Sequence, residues 1–549
     1  MLRGMLARLV DPLRRDPNAR IAAVRAALEA GVEHARAKRM PEAERCFLDV
    51  LRLAPSNPDA LNLLGLLAFD RMHYDAALDY FREAIRSGGD VADFRYNLGL
   101  ALQALGRDDE AETAYRRALE LGPETRRFNT GLLFHLSQRA GTTPEQLLAE
   151  HRACMARLLR GVPRFAIPPA RLADPERRLR IGYLSGDFRA HAVAYFIDPL
   201  LAARDRAAFE VFCYHTLDEE DERTQRMRSL ADQWHPVSKL GDEELAALIL
   251  AHEIDILVDL AGLTNGDRLR VIGRRPAPVQ ISYLGYLGTT GMEAIDYRIT
   301  DARADPPGVA DRCHSERLVR LPDTQWCFAP LAAMPAPPSR DDGAAGPIVF
   351  GSFNRLAKVQ PSMFALWGRL LARVPGSELW FVDVTSDESH ERVVARLAEH
   401  GVASSRIKTW GRLPPEPYWD LIRRADIALD TFPYNGGATT CECLWMGTPV
   451  VTKAGAMGFA RSGASILGSI GLPELVTDSD ERYLEVAAAL ATDRPRLREL
   501  QRGMRPRMQA SPLLDAAGFM RNLEAAYRTL WRDACLGRRP AGAGPREPD

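Results

Sequence analysis

The chain lacks the cysteine spacing of a metal site or a disulfide framework and the excess positive charge of a nucleic-acid-binding protein. Its eight cysteines are scattered over 549 residues, with no CxxC pair and no histidine at zinc-binding spacing. We interpret them as reduced thiols of a cytoplasmic protein. The formal net charge is only -1, from 72 basic and 73 acidic residues, so no overall field attracts nucleic acid or an anionic membrane. Any anion-binding site must therefore be local.

Long apolar runs are also missing, and the first residues do not have the pattern of a secretory leader. The most apolar stretch, residues 244–263, is interrupted by four polar side chains that include Asp255 and Asp259, so it cannot span a bilayer. The first eight residues carry charges and no apolar core of secretory length follows them, so we expect no export by that route. Hydrophobic residues make up 46% of the chain, which is enough for two to four globular domains at this length.

Three kinds of residue recur at steps of 34 near the N-terminus, each within a helix-forming segment. They are a glycine (Gly31, Gly65, Gly99), an alanine (Ala43, Ala77, Ala111) and an aromatic residue (Phe47, Phe81, Tyr115). The small residues let paired helices approach while the aromatic side chain fills the space between them. Over residues 24–125 the pattern resembles three tetratricopeptide repeats. The array predicts either a concave groove for a protein partner or a spacer and dimerisation surface, so a homo-oligomer is possible.

From residue 176 onward, short apolar runs alternate with helical stretches, after a helical cap and linker at 126–175. The runs of strand type are RIGYLS, FEVFCYH and DILVDL and then, beyond a proline-rich link, IVFGSF, ELWFVD, IALDTF and PVVT. This alternation predicts two doubly wound, Rossmann-like lobes over 176–330 and 347–512, with ligands at the carboxyl ends of the strands. We expect a helix over 513–535 to return to the first lobe, and a disordered tail over 536–549.

The clearest candidate anion site follows the run IALDTF. A turn containing Gly436 and Gly437 leads there into a helix that begins with Thr439 and Thr440. Glycine lets a phosphate approach the backbone, and the N–H groups and hydroxyls of a helix start can bind it. A plain strand-to-helix turn would contain the same residue types. Neither the glycine fingerprint of dinucleotide folds nor a P-loop is present.

A second candidate cluster, Asn354, Arg355 and Lys358, follows the run IVFGSF. Only five of the 72 basic residues are lysine, so a lysine at a strand end is unusual in this chain. A compact ammonium on a flexible stem can neutralise a diphosphate. The alternative is a solvated surface lysine.

Two further motifs allow both a functional and a structural interpretation. His191 follows the first strand of the first lobe, where it could face the cleft and move a proton near neutral pH, or lie on the surface beside a helix-capping Asp187. Residues 478–480 read Asp-Ser-Asp, a metal-binding pattern that we call the acidic triplet. Because Glu481 follows Asp478 by three residues before a helical run, we predict a capping box there instead, and no metal site.

Together these motifs resemble the O-GlcNAc transferase and SPINDLY family of protein O-glycosyltransferases, over roughly residues 24–535. The motifs that carry the resemblance are LSGDFRAH, RPAPVQISYLGYLGTTG, DYRITDARADPP, FGSFNRLAKV and LDTFPYNGGATTCECLWMGTPVVT. The resemblance implies an α-helical tetratricopeptide-repeat array followed by an α/β GT-B glycosyltransferase of two lobes. It also implies transfer of one sugar from a nucleotide diphosphate donor to Ser or Thr hydroxyls, with inversion and without a metal or other cofactor.

The resemblance assigns roles to individual residues. It implies that Lys358 neutralises the diphosphate, that His191 is the active-site histidine, and that Glu442 takes the ribose hydroxyls. Thr439 and Thr440 would bind phosphate from the helix start. The predicted donor-binding set is completed by four neighbours of these residues (Asn354, Arg355, Gly436, Gly437).

Three questions stay open at this point. The donor is either UDP-GlcNAc or GDP-fucose. Gly437 and Ala438 stand where the animal O-GlcNAc transferases carry a histidine, and other motifs are closer to SPINDLY, whose resemblance implies GDP-fucose. The proton acceptor is His191 or Asp255. The chain is either an enzyme that modifies proteins bound in the repeat groove, or a degenerate scaffold that only binds them.

Overall fold

A computed structural model describes residues 17–139, 141–338 and 346–538. After residue 139 the chain passes from a helical unit, which also takes in residues 385–393, to a larger α/β unit. The predicted disordered tail lies outside the described residues from 539 onward, as does part of the predicted proline-rich link. In the described ranges, no helix combines the length and the apolar character needed to cross a bilayer.

The helical unit is built from antiparallel pairs of similar length. Its helices are α1 (Pro17–Arg36), α2 (Met40–Leu53), α3 (Pro58–Asp70), α4 (Tyr74–Gly88), α5 (Ala92–Ala104), α6 (Asp108–Leu121) and α7 (Arg126–Gln138). The 34-residue period also governs the turns, because Lys38, Met72 and Gly106 all have left-handed backbone angles, with φ of 58°, 62° and 73°. Each of these residues lies in the turn that follows the first helix of a pair, where the chain reverses into the second.

The recurring glycines bring the two helices of a pair into contact. A Cβ atom added to Gly65 would lie 2.5 Å from the Phe81 ring, and one added to Gly31 would lie 2.4 Å from the Phe47 ring. The recurring alanines and aromatic residues are buried beside them. The packing predicted from the period is therefore confirmed, and a methyl group at these glycines would force the helices apart.

The α/β unit begins with α8 (Pro144–Leu158) and continues into a seven-stranded parallel sheet, the first lobe. The strands are β1 (Leu179–Ser185), β2 (Phe209–His215), β3 (Gln233–Pro236), β4 (Ile256–Asp259), β5 (Val279–Ser282), β6 (Tyr297–Asp301) and β7 (Arg317–Leu321), and the helices among them are α9 (Ala194–Ala202), α10 (Glu222–Leu230), α11 (Asp242–Ala251) and α12 (Leu269–Gly273). The spatial order is β3-β2-β1-β4-β5-β6-β7. Strands buried on both faces explain the continuous apolar runs in the sequence.

The second lobe contains a six-stranded parallel sheet in the order β10-β9-β8-β11-β12-β13. The strands are β8 (Val349–Ser352), β9 (Glu378–Phe381), β10 (Ile407–Thr409), β11 (Ile427–Leu429), β12 (Val450–Lys453) and β13 (Val476–Thr477). The helices in this part of the chain are α13 (Pro361–Arg373), α14 (Asp387–Ala398), α15 (Pro415–Arg424), α16 (Ala438–Trp445), α17 (Ser462–Ser469), α18 (Asp480–Thr492) and α19 (Arg494–Gln509). The predicted fold class, a helical repeat array followed by two Rossmann-like lobes, is confirmed.

The last helix, α20 (Ala516–Cys535), returns to the first lobe as predicted. The Trp531 indole N–H donates to the carbonyl of Asp174 over 3.0 Å, and Arg532 pairs with Glu176. The helix thereby ties the end of the chain to the segment that leads into β1.

The acidic triplet at 478–480 caps α18, although not through the predicted residue. Ser479 is the N-cap, and its hydroxyl accepts a hydrogen bond from the backbone N–H of Arg482 over 3.3 Å. Asp480 pairs with Lys453 at 2.6 Å. The capping box predicted from Asp478 and Glu481 is therefore wrong, because the helix begins one residue later than we expected.

Candidate functional site

Asp430 anchors the turn that leads from β11 into α16. Its carboxylate accepts hydrogen bonds from the Asn354 amide (3.0 Å), the backbone N–H groups of Thr431 (2.9 Å) and Gly436 (2.8 Å), and the Thr452 hydroxyl (2.7 Å). Burial raises the pKa of Asp430, and the hydrogen bonds oppose that rise. One buried carboxyl group therefore joins β8, β11 and β12 at their carboxyl ends.

Close approach favours glycine at the first of the two glycine positions in the turn. A Cβ atom on Gly436 would lie 2.9 Å from the Thr440 hydroxyl and 3.0 Å from Oδ1 of Asn354. Gly437 is the N-cap of α16 and has no side chain with which to cap the first N–H groups of the helix. Thr440 is buried and its hydroxyl donates to the Gly436 carbonyl over 2.9 Å, whereas Thr439 is half-buried. The first N–H groups of α16 therefore have no side-chain cap from Gly437, which is a feature that helix starts able to bind anions share.

Lys358 ends a short 3-10 turn after β8 and reaches the same turn. Its ammonium donates to the Asn435 carbonyl over 3.1 Å and lies 4.6 Å from the centre of the Tyr434 ring. Burial lowers the pKa of Lys358 to about 8; Asp430 opposes this shift and Arg355 adds to it. In the contacts that the structure describes, the ammonium donates to a backbone carbonyl, and the charge of Asp430 acts on it without a direct hydrogen bond.

Asn354 and Arg355, the other predicted residues after β8, differ in their environment. Asn354 is buried, and its Oδ1 accepts no hydrogen bond from the residues that the structure describes. Arg355 is exposed. Its positive charge contributes to lowering the pKa of His191, so the guanidinium lies within electrostatic reach of the first lobe.

His191 follows β1 at the carboxyl edge of the first sheet. Its Nδ1 lies 3.4 Å from a carboxylate oxygen of Asp187 and 3.3 Å from the backbone nitrogen of Val193. Burial lowers the pKa of His191, and burial also raises the pKa of Asp187. The imidazole is half-buried at this edge, within electrostatic reach of Arg355 in the second lobe.

Glu442 lies one turn into α16 and connects the two lobes. Its Oε1 accepts hydrogen bonds from the Tyr195 hydroxyl of α9 (3.0 Å) and from the Trp419 indole N–H (3.1 Å). Burial raises the pKa of Glu442. One carboxylate oxygen of the residue predicted to hold a ribose is thus already bonded to the first lobe.

Asp255 lies away from this cluster, and its prediction as a proton acceptor is wrong. It directly precedes β4 and is therefore at the amino edge of the sheet, opposite His191. Its carboxylate is fully buried and accepts from the Arg177 guanidinium (2.7 Å) and the backbone N–H of Arg180 (2.9 Å). The sequence run DILVDL places a carboxylate at each end of one strand, and only the second, Asp259, reaches the carboxyl edge.

The role of Asp430 was missed by the sequence analysis, which recognised only the glycines and threonines after it. The available signal was a carboxylate directly after a buried strand, at the start of the turn that contains the two glycines. Asp259 occupies the equivalent position in the first lobe and accepts from the backbone N–H groups of Ala261 (3.0 Å) and Gly262 (3.1 Å). Burial raises the pKa of Asp259 to about 6.

A family model described as glycosyl transferase family 41 matches residues 149–329 and 341–523, which include both sheets and the whole of this site. The chain belongs to glycosyl transferase family 41. A tetratricopeptide-repeat model matches residues 28–90 and 62–124. The family membership confirms the resemblance drawn from the sequence motifs.

Relatives from the same family support this assignment. A protein of Oryza sativa subsp. japonica named as a probable UDP-N-acetylglucosamine–peptide N-acetylglucosaminyltransferase SPINDLY is 36% identical over 440 residues, covering 78% of this chain and 47% of its own length. A protein of Arabidopsis thaliana with the same enzyme name, designated SEC, is 32% identical over 394 residues, or 69% of this chain and 40% of its own. The chain spans about half the length of the curated relatives it matches.

Among solved structures, a mutant O-GlcNAc transferase from Thermobaculum terrenum is similar along almost the whole chain. The TM-score is 0.81 at 37% sequence identity, with 94% of this chain and 99% of that chain covered. The family 41 architecture of repeats followed by two lobes is therefore shared with a solved structure.

Proposed function

We propose that this protein is an inverting protein O-glycosyltransferase that transfers one GlcNAc residue from UDP-GlcNAc to Ser or Thr hydroxyls of proteins. The observation that carries the proposal is the meeting of Lys358, the Asp430-anchored turn and the start of α16 at one sheet edge. These groups form a site for a diphosphate. The names of the SPINDLY and SEC relatives support the choice of sugar.

The chemistry needs little beyond a site for the departing diphosphate. A hydroxyl oxygen attacks the anomeric carbon from the face opposite the nucleotide, the bond from that carbon to the diphosphate oxygen breaks, and the electron pair leaves with the diphosphate. Lys358 and the helix-start donors would stabilise that developing charge, which is usually the largest single contribution to such a step. His191 would accept the hydroxyl proton, directly or through water.

The alternative donor is GDP-fucose, which the SPINDLY resemblance implies. Gly437 and Ala438 favour it, since they stand where the animal enzymes carry a histidine. The alternative of a different class is a scaffold that binds protein partners through the repeats without transferring a sugar.

Thermal unfolding with each donor, combined with mass spectrometry of a protein acceptor, separates these functions. A ligand that binds only the folded state raises the melting temperature. We expect UDP-GlcNAc to stabilise the protein and to add its sugar to the acceptor. A larger stabilisation by GDP-fucose, with fucose transferred, would establish the alternative enzyme. Failure of both donors to bind or react would leave the scaffold.

We expect transfer to continue in EDTA. The diphosphate charge is met in this proposal by Lys358 and the start of α16, while Asp480 of the acidic triplet is paired with Lys453. The measurement is the transfer rate after exhaustive chelation, compared with the untreated enzyme. A rate abolished by chelation and restored by manganese would overturn the metal-independent mechanism.

Removal of residues 1–125 should affect donor hydrolysis and transfer to protein acceptors differently. We expect donor hydrolysis to persist and transfer to protein acceptors to fall, because the repeats form a separate helical unit that we propose recruits protein. Both rates should be measured on the same preparation, with thermal unfolding to verify that the shortened chain is folded. An equal loss of both activities in a folded protein would make the repeats part of the catalytic core.

A further inference from the structure

His151 is a fully buried histidine in α8 with both ring nitrogens in use. Its Nδ1 lies 2.7 Å from the Leu147 carbonyl, which can only accept, so Nδ1 carries the proton. Its Nε2 therefore accepts from the hydroxyl of Tyr286, 2.7 Å away. Burial lowers the pKa of His151 to about 4, so the ring stays neutral and keeps this acceptor at physiological pH. A phenylalanine would fill the same space without the cost of burying two polar nitrogens.

The partner, Tyr286, is half-buried in the β5 loop, which we define as residues 283–291 after the carboxyl end of β5. The loop is held by polar contacts on two further sides. Arg298 donates to the Tyr286 carbonyl over 2.8 Å, and the buried Glu316 accepts from the Thr289 hydroxyl over 2.8 Å and the Thr290 backbone N–H over 2.6 Å. The hydrogen bond to His151 holds the hydroxyl end of the Tyr286 side chain, while its Cβ packs against Gly262.

The end of the loop also lies directly on α8. Gly291 has a left-handed φ of 72°, and a Cβ atom on it would lie 2.4 Å from the backbone carbonyl carbon of His151. Helix and loop therefore cannot move independently at this point. The position of the loop is therefore coupled to the position of α8.

The β5 loop reaches the second lobe on its other side. A Cβ atom on Gly458 would lie 2.6 Å from the Leu287 carbonyl, so the two backbones are in contact. Phe459, the next residue, stacks on Tyr434 with ring centres 5.4 Å apart and planes 9° from parallel. Tyr434 is the ring beneath the Lys358 ammonium. A continuous series of contacts thus runs from α8 through the loop to the proposed diphosphate site.

We propose that His151 is a positioning residue, which holds the Tyr286 hydroxyl and thereby fixes the β5 loop as the first-lobe wall opposite Lys358. This inference rests on the proposed glycosyl transfer and deepens it. In this proposal, residues of the second lobe bind the diphosphate. The β5 loop instead fixes the position of the first-lobe wall relative to the second lobe. Loss of the hydrogen bond should therefore lower kcat and leave nucleotide binding intact.

The test compares four variants of the full-length protein: His151→Phe, Tyr286→Phe, the double variant and His151→Gln. We expect His151→Phe to lower kcat by roughly 10- to 100-fold, the scale on which small displacements of reacting groups reduce rates. Tyr286→Phe, which loses one hydroxyl, should give the same loss, and the double variant should lose no more than either. His151→Gln should recover most of the rate, because its side-chain carbonyl can accept from Tyr286.

Calorimetric titration of each variant with UDP distinguishes a positioning role from a purely structural one. A structural role for His151 would change UDP affinity as well as kcat. UDP affinity should equal that of the wild type in every folded variant while kcat differs. Wild-type kcat in both phenylalanine variants, multiplicative losses in the double variant, or His151→Gln as slow as His151→Phe would each overturn the positioning role. A wild-type enzyme that transfers no sugar would instead refute the proposed function itself.

Discussion

Replacing Lys358 by alanine should lower turnover with saturating donor by roughly 10² to 10³, or about 3 to 4 kcal/mol of transition-state stabilisation. The ammonium lies at the turn between β11 and α16, beside Tyr434, and donates only to a backbone carbonyl in the contacts that the structure describes. Lys358→Arg should recover only part of the rate. It restores the positive charge, but a planar guanidinium does not replace a compact ammonium in a confined site.

Lys408→Ala is the matched control for this experiment. Lys408 also lies near an aromatic ring, 5.8 Å from Trp380, but its ammonium pairs with Glu378 at 2.8 Å on the edge strand β10. Its removal should leave turnover unchanged. Near wild-type turnover in Lys358→Ala would mean that the diphosphate is held elsewhere, and the assignment of the whole phosphate site would fail with it.

The low pKa of Lys358 should make binding at the proposed diphosphate site sensitive to alkaline pH. A lysine with a pKa near 8 is charged below that pH and loses its charge as the pH rises through it. We therefore expect UDP affinity to weaken above about pH 8 in the wild type. The same pH range should have no comparable effect on the residual binding of Lys358→Met, measured by calorimetry.

Replacing Asp430 by alanine should destabilise the second lobe by about 3 to 5 kcal/mol and abolish donor binding. The change leaves the Asn354 amide, the Gly436 N–H and the Thr452 hydroxyl without their acceptor in a buried site, and uncompensated buried groups carry penalties of this size. Chemical denaturation gives the stability loss, and UDP titration below the unfolding transition gives the binding loss.

Asp430→Asn separates the charge from the geometry of the turn. An asparagine retains one carbonyl oxygen for the Asn354 and Gly436 donors, and the Thr452 hydroxyl can rotate to accept from its amide. We expect this variant to lose much less stability than Asp430→Ala. If both substitutions left UDP affinity and stability at wild-type values, Asp430 would not organise the turn.

The sequence predicted the repeats and the two lobes because both have strong periodic signals. Glycine and aromatic positions such as Gly65 and Phe81 recur every 34 residues, which is typical of helical pairs. Short apolar runs that alternate with helices are typical of parallel sheets. The Lys358 cluster could be predicted to meet the glycine turn for a related reason. Adjacent parallel strands bring their carboxyl ends to one edge, and β8 lies next to β11.

Contacts between segments distant in sequence could not be predicted. No local pattern places Tyr195 against Glu442 or His151 against Tyr286, because each pair depends on how separate elements pack. The error at Asp255 had a different cause. The run DILVDL already places Asp255 at the start of β4 and Asp259 at its end, so the direction of the strand, and not the position of its boundaries, keeps Asp255 away from the carboxyl edge.

The most direct test of the central claim is calorimetric titration with UDP and with UMP in EDTA, for the wild type and for Lys358→Met. If Lys358 and the start of α16 hold a diphosphate, the wild type should bind UDP much more tightly than UMP without a metal. Lys358→Met should lose most of that difference while still binding UMP. Equal affinity of the wild type for UDP and UMP, or an undiminished preference for UDP in Lys358→Met, would contradict the account.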